Sequence, residues 1–394
     1  MTMQSVELFA GAGGLALGVH NAGFAHRVIV ERDKDTCITI RANKARGLKP
    51  IVDWNLFADD ITAFKYQSLE DKIDLVSGGP PCQPFSMGGK HRAFLDARDM
   101  FPEAVRAIRE LRPRAFIFEN VKGLTREAFQ RYFNYVQLQL MYPEIINKSN
   151  EEWIDHLSRL EQHHTYGTES GLSYRVVHRL VNAADYGVPQ RRERVFIVGF
   201  RSDIHQAWSF PHSTHSQQAL LWEQWVSCLY WDRHAIARTA IPTPSTKLPE
   251  KAYKLLANEA VMDKLPWRTI RDAICDLPDP ESMFDRHTIL NHDFRPGART
   301  YPGHTGSPFD EPAKALKAGD HGVPGGENMV VFPDGKARYF TVRESARLQC
   351  FPDTYYFPVS WTESMRQLGN AVPVDLGTII ARSIADVLRA TNDL

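Results

Sequence analysis

What this chain lacks narrows its function before any motif is read. It has no net charge: 47 Lys and Arg balance 47 Asp and Glu over 394 residues. A nucleic-acid binder is expected to be basic, so any attraction to a polyanion must come from local patches. Cysteine is sparse. The five stand at 37, 82, 228, 275 and 350, and no two have metal-ligand spacing. That excludes a zinc ribbon and fits a reducing cytoplasm better than a disulfide scaffold. Cys37, Cys228, Cys275 and Cys350 are expected as buried apolar residues. His163-His164 has no companions that would complete a zinc site, so no metal is expected. No apolar run approaches the ~18 residues that cross a membrane. The N-terminal apolar stretch is broken by Glu7, His20 and His26, so no secretory signal is expected. A P-loop lysine motif is missing, which argues against a nucleoside triphosphate. Internal repeats and low-complexity tracts are missing too. What remains is an ordinary globular composition, 43% hydrophobic and 24% charged, with roughly two to three domains by length.

Residues 1–200 alternate short apolar runs with helical patterns. Strands are predicted at Ser5–Phe9, Val28–Val30, Ile73–Ser77, Ala115–Phe118, Tyr174–Leu180 and Val195–Phe200. Helices are predicted at Leu15–Ala22, Thr36–Asn43 and Phe101–Leu111. Such alternation argues for a mostly parallel sheet with helices on both faces. Residues 125–170 read as an insertion with two helical stretches. From about 205 the chain turns rich in proline, glycine, histidine and tryptophan, and the alternation stops. An irregular second domain with its hinge is expected at 205–361. A last helix at 362–394, with Leu376, Ile379, Ile380, Ile384, Val387 and Leu388 in one stripe, is expected to complete the first domain, 1–204.

Certain residues stand where chemistry could occur. Pro80-Pro81-Cys82-Gln83 follows a strand and two glycines. Two prolines fix φ, so the Cys82 thiol has a defined direction; a packing cysteine in a tight turn is the plain alternative. A glycine-rich turn, Phe9-Ala-Gly-Ala-Gly-Gly14, joins the first strand to the first helix and allows close backbone approach to a ligand. Glu31 ends the second strand, where a carboxylate can accept from a ribose diol. Asp60-Ile61 stands where a third strand would end, suiting an adenine amino group. Glu119-Asn120-Val121 ends another strand, and Arg192 and Arg194 flank the start of the next. Gln367-Leu-Gly-Asn-Ala-Val-Pro373 opens the last helix. Ligands bind at the carboxyl ends of parallel strands, which groups these positions.

Six such blocks in this order resemble the DNA cytosine-5 methyltransferase family of bacterial restriction-modification systems, over Glu7 to about Ala385. The resemblance implies an α/β fold: a Rossmann-like, mostly parallel methyltransferase sheet with a smaller, irregular target-recognition domain. It implies S-adenosyl-L-methionine as cofactor, with Phe9 on the adenine and Gly11 and Gly13 beside the methionine part. Gly14, Glu31, Asp60, Ile61 and Pro80 complete that set, and Asn370 and Val372 close the pocket. It implies a methyl group placed on C5 of a cytosine flipped out of duplex DNA. The Cys82 thiolate adds to C6 and makes C5 nucleophilic. Glu119 protonates N3 and holds the amine, Arg194 neutralises charge at O2, and Arg192 orients Glu119 or grips a phosphate.

Double-stranded DNA is the expected partner. Between Gly88 and Arg114, Lys and Arg number seven against four Asp and Glu, a basic stretch suited to phosphates. Lys90, Arg92 and Arg98 in this stretch, with Gln83 and Ser86 just before it, are candidate DNA contacts, and Phe85 to Met100 is read as a lid over the substrate. Asp96, Arg98 and Phe101 match a further family block. In the irregular domain the candidates are Arg295, Arg299, His304, Lys314, Lys317 and His321. That domain is not basic: Asp285 to Arg343 holds eight Lys or Arg and seven Asp or Glu. Ala315 stands where the family often has threonine. A cytoplasmic monomer is expected, working beside a restriction endonuclease of the same specificity. Two alternatives stay open: the same chemistry on transfer RNA, and a non-catalytic protein that binds S-adenosylmethionine or nucleic acid.

Overall fold

The computed structural model describes residues 2–69, 72–81, 99–167, 171–242, 263–282, 289–318 and 328–391. The chain forms two compact units. One comprises 1–181, 193–210 and 377–394; the other comprises 182–192 and 211–376. The expected boundaries differ at three places: 205–210 stays with the first unit, and two segments move to the second. Residues 182–192 and 362–376 gather with the second unit, because their partners in the chain are there, as detailed below.

The first unit is built on a sheet of seven strands. In chain order its elements are β1 (Met3–Leu8), α1 (Gly14–Asn21), β2 (Phe24–Val30), α2 (Lys34–Ala45), β3 (Leu56–Phe57), β4 (Leu75–Gly78), α3 (Phe101–Leu111), β5 (Ala115–Val121), α4 (Gln130–Met141), α5 (Trp153–Tyr166) and β6 (Tyr174–Asn182). After a two-residue strand, β7 (Gln190–Arg191), comes β8 (Glu193–Arg201). The sheet order is β3-β2-β1-β4-β5-β8-β6. Strands β3, β2, β1, β4 and β5 run parallel, and β8 runs antiparallel to β5. This is the mostly parallel α/β sheet expected. The order reverses at β1, whose neighbours β2 and β4 lie on opposite sides, and such switch points open ligand crevices at strand carboxyl ends.

Period-two alternation decides which residues face which way. Val6 and Leu8, Val28 and Val30, Val76, Phe116 and Phe118, and Val195 and Ile197 share one core cluster with Phe101, Ala104 and Ile108 of α3 and Tyr132, Val136 and Leu140 of α4. Glu7 and Ser77 point to the other face, paired across β1 and β4. Gly18 of α1 lies against the last helix, Val374–Ala390. A Cβ at Gly18 would stand 2.7 Å from Thr378 N, so α1 can approach this closely only without a side chain. Arg114, at the head of β5, donates to Leu388 O at 2.8 Å. The terminal stripe therefore docks on the first unit.

The second unit is irregular, with short strands and, among the described residues, two small cores. β7 pairs in parallel with Ala313–Lys314, which draws 182–192 into this unit. One core joins Ile270, Ala313, Leu316, Val330, Phe340 and Leu348; the other joins Ala184, Leu220, Tyr230, Trp231 and Trp267. Capping boxes start the helices Ile270–Ile274 and Val342–Leu348, from Thr269 with Asp272 and from Thr341 with Glu344. Arg343 is fully buried and donates to Leu290 O, Pro352 O and Tyr355 O at 3.0, 3.2 and 2.6 Å. Burial pulls its pKa down to about 10. These bonds tie the start of the helix Val342–Leu348 to the segment that follows it. The Gln367–Pro373 block does not open the last helix. It closes the helix Trp361–Asn370, and the next starts at Val374. Pro373 disfavours helical φ/ψ at Val372, and Ala371 is extended, with ψ 147°. Cys37 is buried as expected, but Cys275 is exposed and Cys228 and Cys350 are half-buried.

Candidate active site

Strand register sets the candidate residues at one level. Leu8 pairs with Val30 on one side and with Gly78 on the other, and Gly78 pairs with Phe118. The next residues along, Phe9, Glu31, Gly79 and Glu119, therefore emerge together at the carboxyl edge around the switch point. Phe9 takes φ 54°, the left-handed region that a bulky residue adopts at a cost of order 1–3 kcal/mol. Such outliers collect where function demands a particular side-chain direction.

The glycine turn forms a cradle on the first unit. Gly11 N donates to Glu31 Oε2 at 2.7 Å, while Arg32 N and Asp33 N donate to Oε1 at 2.9 and 2.8 Å. Burial raises the Glu31 pKa, opposed by these backbone donors. A carboxylate has about four acceptor sites, so after three backbone bonds one is left for a hydroxyl. A Cβ at Gly11 would meet nothing within 4 Å; the turn there faces open space. Gly13 differs. At φ 83° it precedes α1, and a Cβ would lie 2.8 Å from the buried Trp54 ring. Packing on Trp54 accounts for Gly13, and Gly14 is buried as the first helical residue. β3 ends at Phe57, ahead of Asp60. The Asp60 carboxylate already accepts from Thr62 N at 3.0 Å and Arg32 Nη1 at 2.8 Å, which lowers its pKa, the Thr62 backbone bond foremost. An adenine amino group would compete with Arg32 there. Ile61 is buried in the core, and its carbonyl accepts Arg106 Nη2 at 2.8 Å.

Glu119 stands at the rim of β5 and is 8% exposed. Its Oε1 lies 2.8 Å from Arg194 Nε. The antiparallel register explains this pair: Arg194 is opposite Val121, diagonal to Glu119 on the same face. Arg192 behaves otherwise. It falls between β7 and β8, is fully buried, and donates to Leu316 O at 3.1 Å and Gly369 O at 2.6 Å within the second unit. The expectation that it grips a phosphate is corrected by that burial. Asn120, to which the sequence assigned no role, donates from Nδ2 to Pro80 O at 2.9 Å. It holds the proline turn that precedes Cys82.

The family model for C-5 cytosine-specific DNA methylases matches residues 3–141 and 154–386. The chain belongs to that family. Among its relatives, the type II methyltransferase M.PspPI of Psychrobacter is 32% identical over 393 residues, covering 98% of this chain and 79% of the relative. M.NgoMIV of Neisseria gonorrhoeae is 29% identical over 392 residues, covering both chains fully. The fold is also that of a prophage-encoded DNA modification methyltransferase of E. coli, at TM-score 0.57 and 20% identity over 98% of this chain and 99% of that one. Dnmt2 of S. pombe matches at TM-score 0.56 and 16% identity over 99% of both chains.

In this methylase, Cys82, Gln83, Ser86, Lys90, Arg92, Arg98 and His321 lie outside the described residues. Arg295, Arg299 and Lys317 are exposed in the second unit, and His304 and Lys314 are half-buried. The Arg295 guanidinium stacks 5.3 Å from the Trp361 ring. The His304 ring packs against Tyr301 with centroids 4.2 Å apart and planes tilted by 40°. Lys314 Nζ donates to Thr305 Oγ1 at 2.7 Å, which gives that lysine a hydroxyl neighbour although position 315 is alanine. Asn370 is exposed at its helix end and Val372 is buried, both in the second unit. Among the described residues no group of three or more His, Cys, Asp or Glu could hold a metal, and no helix is long and apolar enough to cross a membrane.

Proposed function

We propose that this methylase transfers a methyl group from S-adenosylmethionine to C5 of a cytosine flipped from duplex DNA, through a covalent bond to Cys82. We also propose that it serves as the modification partner of a restriction endonuclease of the same specificity. The observation that carries the reading is the pair of buried Glu119 with half-buried Arg194 at 2.8 Å, with Glu119 set beside the Pro80-Pro81 turn by strand register. The bound cofactor supplies an electrophilic methyl on a positive sulfur. The fit rests on the open space at Gly11 and the Glu31 carboxylate behind it.

The Cys82 thiolate adds to C6 while Glu119 donates a proton to N3. The ring electron pair moves to C5, which takes the methyl. A base then removes the C5 proton, the pair returns, the C6–S bond breaks, and Glu119 recovers the N3 proton. Arg194 keeps Glu119 oriented throughout and stays near the charge that develops on the ring. Base extrusion is required because a stacked cytosine hides C6.

The reading is tested with tritiated methyl donor offered to duplex DNA and, separately, to transfer RNA. Label should enter DNA, and bisulfite mapping of methylated plasmid should give one recurring site. The Cys82→Ala variant should bind the cofactor and transfer nothing, since only the thiolate makes C5 reactive. Full activity in that variant, or label in transfer RNA alone, would sink the assignment.

A further inference from the structure

Proline has no N–H, so a Pro-Pro turn can be tied down through its backbone only by its carbonyl oxygens. Both are engaged. Pro80 O accepts Asn120 Nδ2 at 2.9 Å, and Pro81 O accepts Met100 N at 3.0 Å. The second tie is only as firm as the Met100 peptide. Met100 precedes α3 and its side chain gives no capping bond. The neighbouring Asp99 does the holding: Oδ1 accepts Phe101 N at 3.2 Å and Oδ2 accepts the Tyr132 hydroxyl at 2.6 Å. Tyr132 comes from α4, its ring buried in the core beneath α3. A hydroxyl on a carboxylate at this distance is a strong, directional bond. A relay thus runs from the 125–170 insertion, through Asp99 and Met100, to the turn before residue 82.

We propose that Tyr132 is a positioning residue for methyl transfer: by fixing Asp99 it fixes the Met100–Pro81 bond, and so the direction in which the Pro80-Pro81 turn presents the next side chain. The proposal rests on the reading of Cys82 as nucleophile. It gives the insertion a task in the chemistry, through a hydroxyl bonded to Asp99.

The test uses the full-length protein and a plasmid-length duplex made with 5-fluorodeoxycytidine in place of deoxycytidine, which includes the target site whatever its sequence. Fluorine at C5 cannot leave as a proton does, so the covalent adduct accumulates and its rate of formation is read on a denaturing gel. Tyr132→Phe keeps the ring and removes only the hydroxyl. Small misplacements of reacting groups can cost up to about 10²-fold. Adduct formation should therefore slow roughly ten- to hundredfold, with cofactor affinity, KM for DNA and melting temperature near wild type. Asp99→Asn still offers an oxygen to Phe101 N and a polar partner to Tyr132, and should restore most of the rate; Asp99→Ala should not. Wild-type speed in Tyr132→Phe, or a loss matched by equal weakening of cofactor binding, overturns the inference. So does Asp99→Asn as slow as Asp99→Ala. Absence of adduct in the wild-type protein itself would instead overturn the assignment of Cys82.

Discussion

At the scale of single residues, the Glu119–Arg194 pair shows what a sequence can and cannot say. The acid is legible because it ends a strand that the apolar run Ala115–Phe118 announces. Its partner is not legible, because it depends on the register between β5 and β8, which no local pattern encodes. Arg192 and Arg194 look alike on an alternating strand. The strand breaks at Arg192, whose backbone N–H donates to Asn182 Oδ1 at 3.1 Å and whose carbonyl accepts Ala183 N at 2.9 Å. One arginine thus turns inward and the other meets Glu119. A prediction follows from the pair's burial, with side chains 15% and 9% exposed. Glu119→Gln keeps an oxygen for Arg194 but loses the acidic proton. Methyl transfer should fall about 10²–10⁴-fold, the usual size of a positioned acid's contribution, while DNA affinity measured by filter binding stays close to wild type. A variant within about twofold of wild type would mean that another group handles N3.

At the scale of elements, the sequence places strands and helices nearly where they are, and the structure adds how deeply each is buried. Ser5-Val6-Glu7-Leu8 alternates polar and apolar, as a half-exposed strand would. The structure makes it an interior strand of the sheet, buried on both faces, with Ser77 donating to Glu7 across the pairing. Burial, opposed by that bond, pushes the Glu7 carboxyl up from 4.5 to about 8. The neighbouring strand has the opposite case. His26 bonds Ser5 Oγ at 3.0 Å and Ala16 O at 2.8 Å, and burial brings its pKa down to about 4. The signs follow from linkage. Glu7 binds its proton more tightly when folded, so its contribution is full below pH 4.5 and is lost as pH rises through 8. His26 binds its proton less tightly when folded, so its contribution is full above 6.5 and is lost as pH falls toward 4. Glu7→Gln mimics the protonated acid and leaves His26 unchanged. Melting curves should therefore match wild type near pH 4.5 and show the variant more stable by pH 8.5. The gap should reach up to a few kcal/mol, since each tenfold change in proton affinity is worth about 1.4 kcal/mol. Parallel melting temperatures across that range would show that Glu7 is ionised in the fold.

At the scale of the whole molecule, zero net charge is mild evidence against DNA, and the structure explains why composition misleads. Many acids of the second unit are committed to arginines inside it. Arg271 pairs with Asp310 at 2.6 Å, Arg338 with Glu344 at 2.7 Å, and Arg347 with Asp276 at 2.5 Å and Asp353 at 2.7 Å. Counting charges gives these pairs the same weight as exposed Arg295, Arg299 and Lys317. The unit boundaries are illegible for a related reason: the β7 pairing with Ala313–Lys314 joins positions more than a hundred residues apart. The division of labour expected from the sequence has the first unit carry the chemistry and the second read the target. Binding should then weaken steeply with salt, log affinity falling against log salt by about 0.9 per phosphate neutralised. Alanine at Arg295, Arg299, His304, Lys314, Lys317 or His321 should act in one of two ways. Loss of a phosphate contact should weaken all sequences alike and reduce the salt slope by about one. Loss of a base contact, worth about 1–3 kcal/mol of discrimination, should relax one position of the methylated site roughly tenfold or more. Neither should alter cofactor binding measured without DNA, because Glu31 and Gly11 belong to the first unit. Bisulfite sequencing of plasmids modified by each variant reads site preference directly, and titration of the cofactor reads the rest. If no variant shifts the preference and all of them weaken the cofactor instead, the second unit serves the cofactor and the reading of sequence lies elsewhere.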